Sequence, residues 1–282
     1  MPTYVLVAVL FAALLHASGN ALAKGRGGGD PLIGTLLVGI GSGLAGLPVM
    51  AVTGLPNAPS HGFLAASVMF HVGYFLLIGL CFRSADVSAV FPLIRGSAPL
   101  PITLAGGILL AEPMTIPLFA GVALLSAGVL GLSAHALKVG SLDGRTVLLA
   151  LGNVVCVVTY TLLDGLDTRA SGNAAAYIAA MLAAMGLLLL PVVLWLEPKL
   201  CTRKGSKVWG LNIAGGAMVM ASYGIGQWAV TQAPIGAVAA LRETSVLFGT
   251  VIAAVVLREQ FGPARWVAAA AICCGLAVLR LG

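Results

Sequence analysis

The chain has 282 residues, of which 60% are hydrophobic and only 9% are charged. Soluble domains have about 25% charged residues, and a soluble fold of this composition would have to cover its surface with Ala, Leu and Gly. The composition therefore excludes a soluble domain and predicts a membrane protein. The net charge of +6 comes largely from basic residues in short loops between apolar segments, which indicates topology signals rather than a nucleic-acid-binding patch.

The first apolar segment, at residues 4–23, is predicted to be a membrane helix rather than a signal peptide. No basic segment precedes it, and a second apolar segment follows directly. The five cysteines show no CxxC spacing, so neither a disulfide framework nor a zinc site is expected. No cofactor is predicted.

Ten apolar segments of about 20 residues, the length that crosses a bilayer, follow one another along the chain. The predicted spans are 4–23, 31–52, 63–82, 87–110, 116–137, 145–166, 174–196, 208–230, 235–257 and 263–281. Loops of only four residues separate some of them, so the helices that they connect are expected to be antiparallel neighbours. The predicted fold class is an all-α membrane protein with ten transmembrane helices.

An internal repeat relates the two halves of the chain. An offset of 147 pairs Arg95 with Arg242 (242 − 95 = 147), and the same offset pairs Glu112 with Glu259. We therefore predict two five-helix repeats, at residues 1–140 and 141–282. Because five is odd, the second repeat enters the membrane from the opposite side, which makes an inverted-topology repeat of the kind found in transporters.

The distribution of Lys and Arg predicts the orientation. Loops that follow odd-numbered spans carry eleven of them, and the opposite side carries two. The eleven are Lys24, Arg26, Arg83, Lys138, Arg145, Lys199, Arg203, Lys204, Lys207, Arg258 and Arg265, and the two are Arg169 and Arg280. The positive-inside rule then places these odd loops in the cytoplasm and both termini outside, in a bacterial inner membrane.

Short motifs in both halves resemble a known family. RGSAPL at 95–100 is followed by LLAEP at 109–113, and RETSVLFG at 242–249 is followed by a Glu-containing segment and a Gly-containing last helix at 256–279. These motifs are similar to those of EamA-type ten-helix carriers of the drug/metabolite transporter superfamily. The resemblance implies secondary transport and favours comparison with the amino-acid exporters. Carriers of this family usually have both termini in the cytoplasm, opposite to the charge count, which we retain.

Two arginines lie inside predicted spans. Arg95 and Arg242 are each about 10 to 12 Å from the start of their helices by the helical rise, on opposite sides of the midplane. Such a charge costs at least about 2.5 kcal/mol, so it should face the interior of the bundle. The pair predicts a carboxylate or phosphate site, and the alternative is that each arginine ties helices together. Glu243 does not face Arg242, because successive helical residues point in different directions, so its partner is expected on another helix.

Other polar and aromatic residues share helix faces inside the membrane and predict the lining of a site for a small amphipathic solute. With the two arginines, the predicted substrate-binding residues are Arg95, Arg242, His71, Tyr74, Tyr223, Gln227, Trp228, Tyr160, His16 and Asn20. Asp164 is the candidate for proton coupling, and a facilitator or exchanger is the alternative to an antiporter. The alternative for each of these residues is a hydrogen bond that joins two helices.

A structural role is predicted for two glutamates and two prolines. Glu112 and Glu259 lie at helix ends just before a proline, where each carboxylate is expected to accept from free N–H groups of the next helix. Pro92 and Pro99 are expected to bend or open their helix beside Arg95.

The predicted function is a secondary transporter that exports a small polar metabolite, with amino acids as the favoured class, by alternating access through a central cavity between the repeats. Phosphorylated or drug-like substrates are the alternative. An intramembrane enzyme is disfavoured, because the sequence contains neither HExxH nor GxSxG. Transport driven by ATP is not supported either, because the sequence contains no P-loop. The expected partners are a small-molecule substrate and the lipid bilayer, without nucleic acid, for a monomer or homodimer.

Overall fold

A computed structural model of the protein describes residues 1–24, 30–138, 142–201, 206–257 and 263–281. Within these ranges it contains twelve α-helices, two short 3-10 helices and no strand. The α-helices are α1 (Thr3–Lys24), α2 (Pro31–Thr53), α3 (His61–Ser84), α4 (Val87–Ser97), α5 (Pro99–Leu109), α6 (Ile116–Lys138), α7 (Gly144–Ala170), α8 (Ala174–Leu196), α9 (Ser206–Val230), α10 (Ile235–Arg242), α11 (Ser245–Leu257) and α12 (Pro263–Leu281).

Six helical segments in the described part are long and apolar enough to cross a membrane. They are Thr3–Leu22, Pro31–Thr53, Ala58–Ser84, Ile116–Ser133, Gly144–Ala170 and Ala174–Leu196. A multi-pass, all-helical membrane protein is therefore confirmed. The count of ten spans and the inverted repeat go further than this and stay predictions.

Two of the predicted spans are not single helices. The segment 87–110 divides into α4 and α5, and the segment 235–257 divides into α10 and α11. Pro99 begins α5, since it has no N–H to donate to the carbonyl oxygen of Arg95 one turn earlier. Pro92 lies inside α4 and does not end it. The opening beside Arg95 is thus where the sequence predicted it.

The break between α10 and α11 has no proline and was not predicted. The N–H of Glu243 donates to the carbonyl oxygen of Ala240, and the N–H of Thr244 donates to that of Leu241, each at 3.1 Å. These bonds span three residues rather than four, so the last turn of α10 is tightened. The Thr244 hydroxyl also donates to the Leu241 carbonyl oxygen at 2.7 Å. A continuous helix over 235–257 was therefore the wrong prediction.

Helices from the first and second halves of the chain pack against each other. α1 packs against α9, and α3 packs against α7. α2 contacts α9, and α3 contacts α8. α2 also packs against α8, and α6 packs against α12. Exchanging the two halves leaves this pattern unchanged, because α1–α9 becomes α7–α3 and α2–α9 becomes α8–α3. Most of the helix packing therefore lies between the halves, while α4 packs on α6 and α2 on α3 within the first half.

Small residues bring α2 and α8 into close contact. A Cβ added at Gly43 would lie 2.8 Å from the carbonyl oxygen of Leu182 and 2.9 Å from the Cα of Gly186. Both distances are to backbone atoms, which a side-chain rotation does not relieve. Glycine at position 43 thus fixes how closely these two helices approach.

We expect Gly43→Ala to lower the stability of the protein by about 1 to 3 kcal/mol, because the extra methyl group forces α2 and α8 apart. Thermal unfolding in detergent measures the effect. Gly34→Ala in the same helix is the matched control, since nothing lies within 4 Å of a Cβ at Gly34. It should keep or raise the melting temperature, and equal melting temperatures for the two variants would contradict the role of Gly43.

Candidate functional site

A carboxylate lies at the centre of the buried polar residues. Asp164 lies six residues before the end of α7, about 9 Å into the bundle, and its side chain is fully buried. Its Oδ1 accepts from the hydroxyl of Tyr177 on α8 at 2.8 Å, and its Oδ2 accepts from the hydroxyl of Tyr223 on α9. Three consecutive helices thus converge on one negative charge.

His71 of α3 faces the same carboxylate. Its Nδ1 lies 3.0 Å from the carbonyl oxygen of Ser67 one turn earlier, and its Nε2 lies 4.0 Å from Oδ2 of Asp164. The hydroxyl of Ser67 also lies 3.2 Å from Nδ1. A ring that accepts from this hydroxyl turns its Nε2–H toward the carboxylate, whereas a ring that donates from Nδ1 to the carbonyl oxygen turns its Nε2 lone pair there. In the tautomer that donates from Nδ1, Nε2 and Oδ2 are both acceptors, so a proton on Nε2, or an ammonium group that contacts both atoms from one side, would satisfy both.

Aromatic rings surround this histidine. Its ring stacks on Tyr160 with centroids 3.9 Å apart and meets the ring of Tyr223 edge-on at 5.4 Å. Tyr74 lies edge-on to Tyr160 at 5.8 Å. The side-chain amide of Gln227 donates to the Tyr223 hydroxyl at 2.9 Å. Four predicted site residues from three helices, Tyr74, Tyr160, Tyr223 and Gln227, therefore extend the cluster around His71.

Arg242 closes one side of this aromatic group. Its guanidinium carbon lies 5.0 Å from the ring centroid of Tyr223, in the cation–π arrangement, and it passes close to Gly226. A Cβ at Gly226 would be 3.1 Å from Cδ of Arg242. In the part of the chain that the structure describes, no carboxylate lies within 4.0 Å of this guanidinium. Arg242 is thus a half-buried cation stacked on a ring whose hydroxyl contacts Asp164.

Arg95, unlike Arg242, is paired with a carboxylate. Its Nε lies 2.8 Å from Oε2 of Glu243, and both side chains are 5% exposed. The arginine comes from the end of α4 and the glutamate from the break before α11, so this ion pair joins the two halves. The expectation that the partner of Glu243 lies on another helix is confirmed.

His16 of α1 lies in the field of both arginines. The residue is 8% exposed, and neither of its ring nitrogens has a hydrogen-bond partner among the described residues. Buried polar groups in proteins nearly always have partners. An imidazole held unpartnered beside two cations is therefore a candidate ligand contact.

Two predicted site residues, Trp228 and Asn20, make no contact of this kind with the polar cluster. The Trp228 side chain is on the outer surface, 40% exposed, with its ring 6.1 Å from that of Tyr4. It projects from α9 in a different direction from Tyr223 and Gln227, because successive helical positions are about 100° apart. Asn20 donates to the carbonyl oxygen of His16 in its own helix at 3.0 Å. The structure contradicts a lining role for Trp228, and it gives Asn20 a local one.

Glu112 connects the two halves at the face where α5 and α9 end. Both of its carboxylate oxygens accept from the N–H of Ile235, at 2.9 and 3.0 Å, and Oε1 also accepts from the guanidinium of Arg169 at 2.5 Å. The predicted capping role is thus directed at α10 rather than at the next helix, α6. Proline at position 234 turns the chain so that the first free N–H of α10 faces the carboxylate. Glu259 lies outside the described residues.

Arg169 completes this contact. Its guanidinium also donates to the carbonyl oxygen of Val230, at 2.9 Å, and to that of Ala233, at 3.3 Å. The sequence identified Arg169 only as a loop charge, and it gave no signal for Tyr177 as a ligand of Asp164. Both contacts depend on how distant helices pack.

A sizeable groove of about 470 Å³ is apolar and lies away from these residues. α2, α8 and the start of α3 line it, including Leu44, Leu47, Met50, His61, Ala183 and Leu187. None of its lining residues belongs to the polar cluster. In this conformation, most of the cluster, including Arg95, Glu243, His71 and Asp164, is buried.

Residues 144–281 match the EamA-like transporter family. The predicted resemblance is confirmed for this EamA-like segment, which contains Asp164, Tyr223, Arg242 and Glu243. The narrower comparison with amino-acid exporters is not tested by the match.

A solved structure described only as "Crystal structure of protein" has the same fold. It superposes with a TM-score of 0.77 and 19% identity, and the alignment covers 100% of this chain and 98% of the other. At this identity, the likeness shows the fold alone. No curated protein matches the chain.

We expect Glu112→Gln to lower the stability of the protein by about 1 to 3 kcal/mol, because the neutral amide is a weaker acceptor for the α10 N–H and loses its charge opposite Arg169. The melting temperature in detergent is the measurement. Glu197→Gln, at an exposed position, is the control and should unfold like the parent. A Glu112→Gln protein with the parental melting temperature would show that this carboxylate does not hold the two halves together.

Proposed function

We propose that the protein is a secondary transporter that exports amino acids by alternating access through a site between its two halves. One observation carries the proposal. A cation without a carboxylate partner in the described part, Arg242, and a buried carboxylate, Asp164, flank the same tyrosine inside the membrane. The match of residues 144–281 to the EamA-like transporter family supports small-molecule transport.

The charges on either side of Tyr223 suit a zwitterion. A substrate carboxylate would meet the guanidinium of Arg242 and the imidazole of His16, which has no partner of its own among the described residues. The substrate ammonium would donate to Oδ2 of Asp164 and to Nε2 of His71 from one side, since the two atoms lie 4.0 Å apart. The surrounding Tyr74 and Tyr160 rings would contact an apolar side chain.

Transport is favoured over a purely structural role by the energetics of charge in a membrane. Groups such as Asp164 and Arg242 are costly at this depth, and those found there generally belong to substrate or proton pathways. Packing alone would be served as well by apolar residues of similar size. Two charges kept inside the bundle therefore support a function that requires them.

Alternating access is supported by the arrangement of the helices. The unchanged packing pattern on exchange of the halves is what two inverted repeats produce, and both helix breaks lie beside an arginine. Interrupted helices near the midplane are typical of transporter binding sites. We extend the proposal to repeats at 1–140 and 141–282 in an inner membrane, with both termini outside and a monomer or homodimer as the unit.

Proton coupling follows from the same position. A proton taken up by His71 or Asp164 removes an acceptor that the substrate ammonium needs, so the proton and the substrate compete. The carrier would therefore exchange a substrate molecule on one side for a proton on the other, as an antiporter does. The groups that face this carboxylate are His71, Tyr177 and Tyr223.

Counterflow in liposomes tests the proposal directly. Liposomes that contain the purified protein are loaded with a mixture of unlabelled amino acids, and uptake of labelled methionine, threonine and phenylalanine is followed at equal pH on both sides. Accumulation of at least one of them is expected. Failure of all three, with accumulation of a phosphorylated metabolite or a drug-like cation in the same assay, would transfer the function to that substrate class.

We expect Arg242→Gln to reduce amino-acid counterflow by about tenfold or more, since the substrate carboxylate loses a charge-assisted partner. Initial uptake rates at equal amounts of inserted protein measure the loss. Arg280→Gln removes a positive charge from an exposed position on α12 and serves as the control. Equal rates for Arg242→Gln and the control would remove Arg242 from the site.

We expect Asp164→Asn to abolish the response of transport to a pH gradient, because the amide no longer takes up a proton. The measurement is efflux of loaded amino acid with the outside acidified, compared with efflux at equal pH. The parent should accelerate in the gradient and the variant should not. A variant that still accelerates would place the coupling proton on another group.

A further inference from the structure

The buried ion pair between the halves is the feature that the proposed transport cycle does not use. Arg95 and Glu243 contribute one charge each, from the break after α4 and the break before α11. The charge of Arg242 also acts on Glu243, and the charges of both arginines act on His16 and on Tyr74. The pair is therefore part of the same charged region as the proposed carboxylate site.

The contact is not built like a permanent structural bridge. The guanidinium contacts the carboxylate through Nε, which lies 2.8 Å from Oε2, rather than through two parallel N–H groups. The strongest arginine–carboxylate pairs are bidentate, with two parallel hydrogen bonds. Glu243 neutralises Arg95, but a ligand carboxylate that bound the guanidinium through two hydrogen bonds could displace it.

The ion pair of Arg95 and Glu243 sets the charge that the site presents to a substrate. Arg95 and Glu243 cancel each other, which leaves Arg242 and Asp164, the two charges that flank Tyr223, to meet the substrate. A site of this kind neutralises a molecule that carries one carboxylate and one ammonium group. A second substrate carboxylate would find Arg95 already occupied, and it would approach the like charge of Glu243 in a medium of low dielectric constant.

We propose that Glu243 determines the charge of the substrate by occupying Arg95, so that the carrier accepts neutral amino acids and rejects acidic ones. This inference rests on the proposed function, because it assigns selectivity within the same site. Removal of the Glu243 charge would free Arg95 for a second carboxylate. Selectivity would then shift toward amino acids with an acidic side chain.

Glutamine and glutamate are suitable probes, since they have nearly the same shape and differ by one charge. Counterflow of each labelled compound is measured separately in liposomes that contain the parent protein, Glu243→Gln or the double variant Arg95→Gln/Glu243→Gln. Glu197→Gln, at an exposed position, is the matched control for the substitution itself.

The parent should exchange glutamine faster than glutamate by about tenfold or more, because of the like-charge contact with Glu243. Glu243→Gln should raise the ratio of glutamate to glutamine exchange by about tenfold or more, and the double variant should lose this gain, since it lacks the arginine that receives the second carboxylate. A purely structural role for the pair would weaken both substrates together and leave the ratio unchanged.

Several results would overturn the proposal. One is a parent protein that exchanges both compounds equally, and another is a folded Glu243→Gln variant that exchanges glutamine without any gain for glutamate. If Glu243→Gln does not fold, Glu243→Asp withdraws the carboxylate from Arg95 by one methylene group and must show a gain in the same direction. A parent protein that exchanges amino acids without these ratios refutes this inference alone, whereas one that exchanges no amino acid refutes the proposed function and this inference with it.

Discussion

A charge inside a lipid bilayer has no water to solvate it, and this constraint organises the interior of the protein. Three of the charged groups in the interior are stabilised in different ways. Asp164 is held by two tyrosine hydroxyls, Arg95 by Glu243, and Arg242 by the face of an aromatic ring. Since the partners come from helices distant in the chain, satisfying the charges also fixes how the two halves meet.

The breaks in two helices follow from the same constraint. A continuous helix satisfies its own backbone and presents side chains around its axis, whereas an interrupted helix brings polar backbone and a charged side chain to one point. α4 ends two residues after Arg95, and α10 ends at Arg242. The interruptions therefore place two cations and one carboxylate near the middle of the bundle, where a straight helix would offer mostly apolar surface.

Sequence reasoning reached the class of the protein and most of the polar cluster, because both depend on local signals. Composition and apolar segment length predict a multi-pass helical protein. A charged residue within an apolar segment is easily recognised as a candidate site residue, as Arg95, Asp164 and Arg242 are. What the sequence could not supply depends on packing across the two halves. The contact between Glu112 and α10 is of this kind, and so is the outward direction of Trp228. The helix break at Thr244 was missed because it is made by hydrogen bonds without a proline.

The capping of α10 by Glu112 has a consequence for kinetics. The carboxylate belongs to the connection between α5 and α6, and the N–H that it accepts from belongs to a helix of the other half. Separating the halves at this face would leave the first turn of α10 uncapped, and it would break the contacts of Arg169 at the same moment. In the proposed alternating-access cycle, opening on this side therefore requires one helical turn to fray. Relaxation measurements on α10 would report the rate of this fraying.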